Sequence, residues 1–334
     1  MNQAKEILIS VLIATRNRAA SLSRTLNSLL SPDNVFRNDW EVIVADNGST
    51  DDTPAVCRMF SERYPDHFKF VNESRGGKSS ALNQGIPMCQ GAVLALIDDD
   101  VICHVDYLDA IRSSVADSKE CVLQGRVHVD YDGKLPDWFD EHFESMMCKI
   151  DLGDNICELL REFWGLNVVL PMGGIAKVGG FCPEMGPGAI GLADDAELSR
   201  RLRSAQYRFL YHPRIVVRHQ ISSHRLKISY VLKRSYVIGL STAYYREVPD
   251  VPLWRYTAYI SKEILRSIPR FLLNLAAAKW NLAMRTACEH LTSIGFVCQH
   301  WRFRIGGRPT LTVPVIPIPR FNSAGQPDIV NANR

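Results

Sequence analysis

The stretch Gly91–Cys103, GAVLALIDDDVIC, sets the tightest limit on what this chain can fold into. An apolar run from Ala92 to Ile97 stops at three consecutive carboxylates, Asp98, Asp99 and Asp100. A short unbroken apolar run opened by glycine predicts a buried strand, as in a parallel sheet. Like charges crowded at its carboxyl end repel one another, so something positive must relieve them. Open α/β sheets take ligands outside those strand ends. Carboxylate oxygens are hard donors suited to Mg²⁺ or Mn²⁺, and such metals commonly bridge to phosphates. The stretch is read either as a metal–diphosphate site or as a polar turn whose acids cap a helix.

The pattern around it extends the sheet. Ile7–Ile13 reads as a strand ending in Ala14-Thr15-Arg16-Asn17-Arg18, and Leu22, Leu26, Leu29 and Leu30 then recur at helical spacing. Trp40–Ala45 is a second strand, ending in Asp46-Asn47-Gly48-Ser49; Thr50 or Asp51 can cap the next helix, with Pro54 in its first turn. Phe68–Val71 is a third, leading into Arg75-Gly76-Gly77-Lys78 and another helix. Alternation of this kind predicts an α/β fold with a mostly parallel, doubly wound sheet. The polar strand ends then share one edge.

Gly76-Gly77-Lys78-Ser79 is not a Walker A loop, because position 72, where that loop needs glycine, is Asn. No G-x-G-x-x-G follows the first strand, which argues against a dinucleotide site. Gly76, Gly77 and Lys78 remain either an ordinary turn or a diphosphate contact through backbone N–H groups and one ammonium.

Four segments in register resemble the family-two glycosyltransferases of the A-type, or nucleotide-diphospho-sugar transferase, fold. They are SVLIATRNR (Ser10–Arg18), VIVADNGSTDDT (Val42–Thr53), GGKSSALNQGI (Gly76–Ile86) and ALIDDDV (Ala95–Val101). The resemblance covers about Ile7 to His219. It implies that Thr15 and Arg16 flank a nucleotide base and that Asp46 accepts a hydrogen bond from base or ribose. The residue-level alternative for Asp46 is an Asx turn before Gly48. Asp98 and Asp100 become the outer members of a D-x-D motif, Asp98 toward the donor ribose and Asp100 toward Mg²⁺ or Mn²⁺. Lys78 joins the donor contacts.

Val122–Asp130 alternates like a strand, and Trp138, Phe139, Phe143 and Met147 follow at roughly helical spacing, which suits packing residues, with stacking on a sugar face as the alternative for Trp138. Asn167 and Val178-Gly179-Gly180-Phe181 match the family's G-x-N and V-G-G-F elements, which implies an acceptor and sugar wall including Trp164 and Asn167. Asp194-Asp195-Ala196-Glu197-Leu198 stands where the family has E-D-x-E-L, with Asp in place of the first Glu. A helix begins near Asp194 on the spacing of Leu198 and Leu202. By residue pattern alone these acids cap it. By resemblance Asp195 is the catalytic base and Asp194 an acceptor contact. Tyr207–Tyr211 and Ile215–His219 read as two short strands broken at His212-Pro213. His219 is either structural or, by resemblance, a metal or diphosphate ligand.

Beyond Arg225 the chain turns helical and basic. From Tyr256 to Arg308 the only acids are Glu263 and Glu289, against Lys262, Arg266, Arg270, Lys279, Arg285, Arg302, Arg304 and Arg308. Apolar stripes such as Ile260, Ile264, Ile268 and Leu272 fit packing on the catalytic domain, on a second copy in a homo-oligomer, or on an anionic membrane surface. The division expected is a catalytic domain over 1–222, a helical extension over 223–305 and a Pro-rich, disordered tail over 306–334.

Composition excludes some classes. The formal net charge of +3 over 334 residues is too small to imply nucleic acid. Nine scattered cysteines without a C-x-x-C pair argue against zinc and a disulfide framework, and reduced thiols fit a cytoplasmic protein. The N-terminus, MNQAKEILIS, lacks the apolar segment of a leader, and no uncharged run reaches the ~20 residues of a membrane span. The expectation is a cytoplasmic protein, peripheral at most on the inner face of a membrane.

The leading expectation is an inverting, metal-dependent glycosyltransferase that moves a sugar from a nucleotide-diphospho-sugar to a glycan or lipid-linked acceptor in polysaccharide or glycolipid synthesis. A nucleotidyltransferase would need a Gly-rich basic loop after the first strand, and ATRNRAAS lacks those glycines. A non-catalytic scaffold would have lost its acids, yet Asp46, Asp98, Asp100 and Asp195 are present.

Overall fold

The computed structural model describes residues 7–73, 76–118, 121–189, 191–245, 252–308 and 311–316. Strand β1 (Ile9–Thr15), helices α1 (Ala19–Leu29) and α2 (Pro32–Val35), strand β2 (Trp40–Asp46), helix α3 (Thr53–Arg63), strand β3 (Phe68–Asn72), helix α4 (Lys78–Gly85) and strand β4 (Val93–Asp98) follow the predicted alternation. Their strands pair parallel in the order β3-β2-β1-β4.

Side chains alternate across these strands, so each face has its own core. Val11, Ile13, Val42, Val44, Ala95 and Ile97 pack under Leu22, Leu26 and Leu29 of α1 and Phe60 of α3. Leu12, Ile43, Leu94 and Leu96 pack on the opposite face under Ala81 and Leu82 of α4. Burial on both faces explains why β4 reads as an unbroken apolar run.

After β4 the sheet becomes mixed. Strand β5 (Val101–Cys103) is followed by helix α5 (Tyr107–Ser118), strand β6 (Cys121–Tyr131), helix α6 (Glu141–Met146), and strands β7 (Cys157–Glu158) and β8 (Asn167–Pro171). Helices α7 (Met172–Val178) and α8 (Asp194–Ser204) precede strand β9 (Arg208–Ile221). The sheet order is β3-β2-β1-β4-β8-β6-β9-β5, with β7 on β9. Strand β8 runs antiparallel to β4 and β6, while β6 and β9 pair parallel. The expected pair of strands around His212-Pro213 is one strand, β9. Its register on β6 shifts so that His212 faces Gly125 and Val216 faces Arg126. Pro213, which has no N–H to donate, is accommodated in that irregularity.

Three helices close the chain: α9 (Ile228–Tyr245), α10 (Leu253–Ala276) and α11 (Trp280–Gly306). Packing accounts for two of them. Val231 of α9 and Cys288 of α11 share a buried cluster with Trp138, Phe143, Met147 and Ile221. Tyr244 of α9 and Phe303 of α11 pack with Cys182, Met185 and Ala193. The Arg285 guanidinium also pairs with Asp140 at 2.7 Å. Helix α10 packs on α11 and leaves Trp254, Tyr259, Leu265, Leu272 and Leu273 exposed. Among the described residues, no helix is long and apolar enough to cross a membrane.

The expected disordered tail is corrected at 311–316. Ile316 is buried in the core under β4, the Gly180 N–H donates to the Pro314 carbonyl, and Thr312 Oγ1 donates to Glu184 at 2.6 Å. Val313, Pro314 and Ile316 cover the Gly179-Gly180 turn. The remainder of that expectation, 317–334, lies outside the described residues.

Candidate active site

The three acids end β4 and turn the chain into β5, and the pairing of β5 with β9 sets Val101 opposite His219. That register carries His219 Nε2 to 3.3 Å from Asp100 Oδ1. His219 Nδ1 lies 2.9 Å from the Met147 carbonyl. Arg225 Nη1 lies 3.1 Å from Nε2, and Arg225 Nη2 donates to Asp100 Oδ2 at 2.9 Å. Arg18 approaches the same oxygen at 3.7 Å.

The acids are thereby sorted. Burial opposes the charge of Asp100, but His219, Arg225 and Arg18 outweigh it and hold its carboxyl well below the usual range. Asp99 is pushed up to about 6 by burial and by the Asp100 charge, against the hydrogen bond from Thr15 Oγ1 at 2.7 Å. Asp98 is ion-paired with the Lys78 ammonium. Burial works against the Lys78 charge, but Asp98, Asp194 and Asp195 prevail and keep it protonated.

Thr15, Arg16, Arg18, Lys78, Asp98, Asp100, Arg225 and Arg234 line one cleft of about 380 Å³. A larger cavity of about 730 Å³ adjoins it at Arg18 and Asp100. The loop at Pro187-Gly188 closes the other side. It sits on the turn at Gly77, whose φ of +97° favours glycine, and the Pro187 carbonyl accepts the Lys78 N–H at 2.9 Å. That bond uses the Lys78 amide within the protein, and the Lys78 ammonium faces Asp98.

A second cavity, of about 270 Å³, begins beyond Leu192 and Arg234, which line both spaces. Asp195 opens onto it from the first turn of α8, where the helix dipole favours a carboxylate. Its oxygens accept the Gly165 N–H at 3.1 Å and the Ala196 N–H at 2.8 Å. Burial, then the neighbouring Asp194 charge, raises Asp195 to about 7. Trp164 lines the same cavity, with the Arg161 guanidinium 4.1 Å above its ring.

Three expected contacts are corrected. Asn167 is fully buried, and its side-chain amide donates to the Arg126 and Ile215 carbonyls while its Oδ1 accepts from Tyr107. It ties β8 to β6 and β9 and leaves no group for an acceptor. Asp194 is buried against Gly186 near the charge of Lys78, and burial raises it; Asp195 alone of the two lines the cavity. Asp46 follows the Asx-turn alternative, with Oδ1 accepting the Ser49 N–H at 3.0 Å and Oδ2 accepting from Asn72 at 3.2 Å. Its neighbour Asn47 lines the cleft instead. Arg225, Arg234 and Arg161 were not singled out as site residues. Arg225 carried a usable signal, a basic residue six positions after His219 in a chain whose acids need counter-charge.

The residues expected at a divalent cation are Asp100 and His219, with Asp98 as the other outer acid of the D-x-D motif. Asp100 and His219 converge; Asp98 is turned to Lys78. Among the described residues, no three His, Cys, Asp or Glu groups are gathered closely enough to hold a metal by themselves. Two convergent protein ligands suit Mg²⁺ or Mn²⁺ completed by phosphate and water.

The family models, relatives and solved structures that this chain resembles are glycosyltransferases. The model of glycosyl transferase family 2 matches residues 10–170, and that of glycosyl transferase family group 2 matches residues 93–300. Glycosyltransferase AglE of Haloferax volcanii is 29% identical over 168 residues, 49% of this chain and 55% of its own. Validoxylamine A glucosyltransferase of Streptomyces hygroscopicus subsp. jinggangensis is 28% identical over 222 residues, 59% of this chain and 51% of its own. The chain spans about half the length of these relatives. Among solved structures, the mannosyltransferase PcManGT from Pyrobaculum calidifontis, in complex with GDP-Man and Mn²⁺, aligns with a TM-score of 0.60 at 18% identity over 87% of each chain. GalNAc-T7 with UDP, GalNAc and Mn²⁺ aligns at 0.52 and 14% identity, over 73% of this chain and 50% of its own. At these identities the likeness is one of fold, the A-type transferase fold.

Proposed function

The chain belongs to the family-two glycosyltransferases, and from that premise we propose that it moves a sugar, with inversion, from a nucleotide-diphospho-sugar to an acceptor hydroxyl. The observation that carries this reading is the division of charge between adjoining cavities. Lys78, Arg18 and Arg225 gather around ionised acids in one, and a carboxyl poised near neutrality opens onto the other.

In the reaction, the acceptor oxygen forms a bond to the anomeric carbon as the bond from that carbon to the diphosphate oxygen breaks. The diphosphate leaves with the electron pair, and the hydroxyl proton passes to Asp195. General-base assistance of this kind contributes typically ~10²–10⁴-fold. Lys78 and Arg225 present positive charge to the leaving group. Asp100 and His219, with Asp98 beside them, would hold Mg²⁺ or Mn²⁺, which supplies further neutralisation of the diphosphate. Thr15, Arg16 and Asn47 line the donor cleft and would meet the nucleoside.

The exposed face of α10 supports work at an anionic membrane surface. Trp254, Tyr259, Leu265, Leu272 and Leu273 lie open on a helix that also carries Arg255, Lys262, Arg266 and Arg270. That setting suits a lipid-linked or glycan acceptor. Flotation with anionic vesicles, and its absence with neutral ones, is the expected behaviour; no flotation with either would remove the membrane from the reading.

The test of transfer is thermal shift and calorimetry with UDP-, GDP- and dTDP-sugars, with and without Mn²⁺. Stabilisation by one nucleotide, increased by the metal, is expected. Silence across the panel from folded protein would overturn the donor site.

A further inference from the structure

The acceptor-side cavity holds positive charge that the reaction as described does not use. Arg161 and Arg234 both line it, beside Asp195. Among the described residues neither guanidinium forms an ion pair, whereas Arg18, Lys78 and Arg225 of the donor cleft each have a carboxylate partner. Arg234 Nε is buried without a hydrogen-bond partner, and burial pulls Arg161 below its ordinary value. The anionic candidates nearby do not compensate them. Glu162 lines the cavity but makes no ion pair with either. Burial raises the Cys148 thiol to about 11, so it stays neutral.

Two guanidinia line one cavity of about 270 Å³; among the described residues neither has a carboxylate partner, and the buried Arg234 Nε–H lacks an acceptor. An oxyanion relieves both costs, because a guanidinium fork matches the geometry of phosphate and carboxylate oxygens. Stacking on Trp164 at 4.1 Å holds the Arg161 plane while leaving its N–H edge free to bond. The cavity wall is otherwise amphipathic, with Trp164, Ile238 and Thr242, as expected for a face that holds a sugar ring.

We propose that the acceptor is anionic, a sugar carrying a phosphate or a carboxylate, seated on Arg161 and Arg234 so that its hydroxyl faces Asp195. This inference rests on the transferase reading for the role of Asp195, but the anion site stands on its own geometry. Arg161 lies only on the acceptor side, whereas Arg234 lies between the two cavities. Arg161 is therefore the residue that separates an acceptor anion from a donor diphosphate.

The test measures binding of glucose 1-phosphate, glucuronate and glucose to the full chain by calorimetry, in the presence of a saturating nucleoside diphosphate. At least one charged probe is expected to bind about tenfold tighter than glucose, the size of one charge-assisted hydrogen bond set. The phosphate and carboxylate arms tell which anion is read. Arg161→Gln should abolish that margin, Arg161→Lys should keep part of it, and Arg234→Gln should reduce it, each with the melting temperature checked for folding. Equal binding of glucose and both charged probes would overturn the proposal. So would a margin that survives Arg161→Gln in folded protein, or one that vanishes when the nucleoside diphosphate is added, which would put the anion on the donor side. Failure of every nucleotide to bind overturns the transferase reading separately, and the probe series is then run without nucleotide.

Discussion

The proposed donor cleft and the cavity beside Asp195 meet at Arg234 and handle charge in opposite ways. On the donor side each acid is answered by a fixed partner: Asp98 by Lys78, Asp99 by Thr15, and Asp100 by His219, Arg225 and Arg18. On the acceptor side Asp195 accepts only two backbone N–H groups, and Arg161 and Arg234 make no ion pair among the described residues. On the proposed reading, the difference separates electrostatic support from proton transfer. A carboxylate that binds charge must stay ionised, whereas one that accepts a proton works best with its pKa near the working pH. Asp100 and Asp195, with the same side chain, are driven in opposite directions by their surroundings.

The comparison breaks most sharply at Asp195. Asp195→Asn should lower the transfer rate by about 10²–10⁴-fold while calorimetry still detects the nucleotide. An unchanged rate would end its role as base and with it the division between the cavities. A smaller effect should appear in the pH profile. With Asp195 near 7, kcat/KM should rise by about tenfold per pH unit below neutrality and level off above it. A flat profile from pH 5 to 8 would show that no carboxyl poised near neutrality limits the reaction.

Arg225→Gln sharpens the donor half. The variant leaves Asp100 with His219 and Arg18, so the expected outcome is a lower melting temperature and a donor KM raised about tenfold, with kcat changed less. Mn²⁺ should stabilise this variant more than the parent, because the cation replaces a lost positive partner. Equal metal shifts would mean that Arg225 and the metal do not share Asp100.

The smallest effect concerns stability. Asp195 keeps its proton to about pH 7 in the folded chain, against its ordinary value of 3.8. The folded state therefore binds the extra proton between those values. That contribution is complete below pH 3.8 and is lost as pH rises through about 7. Asn at this position cannot ionise, so Asp195→Asn should melt about 2–4 °C higher than the parent at pH 8 and no higher at pH 4. A lower melting temperature at both pH values would mean that the carboxylate is a structural cap.

Much of the first half of the fold was legible because its periodicity is local. Ile9–Thr15, Trp40–Asp46 and Val93–Asp98 are apolar runs that end in polar residues, and the intervening helices carry the expected spacing. The start of α8 at Asp194 was legible too, through the spacing of Leu198 and Leu202. Asn167 was misleading, because a buried amide that ties three strands and one that touches a ligand leave the same letter. Asp46 was ambiguous for a related reason, since a strand-end acid before Asn-Gly can serve a turn or a ligand. The fate of 311–316 depended on where the surface near Gly180 was left uncovered, about 130 positions earlier in the chain.

The sequence by itself determined the order of strands and helices through β4, the acids at the sheet edge and the amphipathic stripes of the last helices, because each depends on neighbours within a few turns. Only the tertiary structure decided which cation meets which acid. The antiparallel pairing of β5 with β9 joins Asp100 to His219, the turn after β9 delivers Arg225, and α9, tied to the segment before α8 by the Leu192 N–H donated to Ser241 Oγ, sets Arg234 between the cavities. Charge pairing acts through space over a few ångströms, and the fold alone makes residues 100 and 225 neighbours.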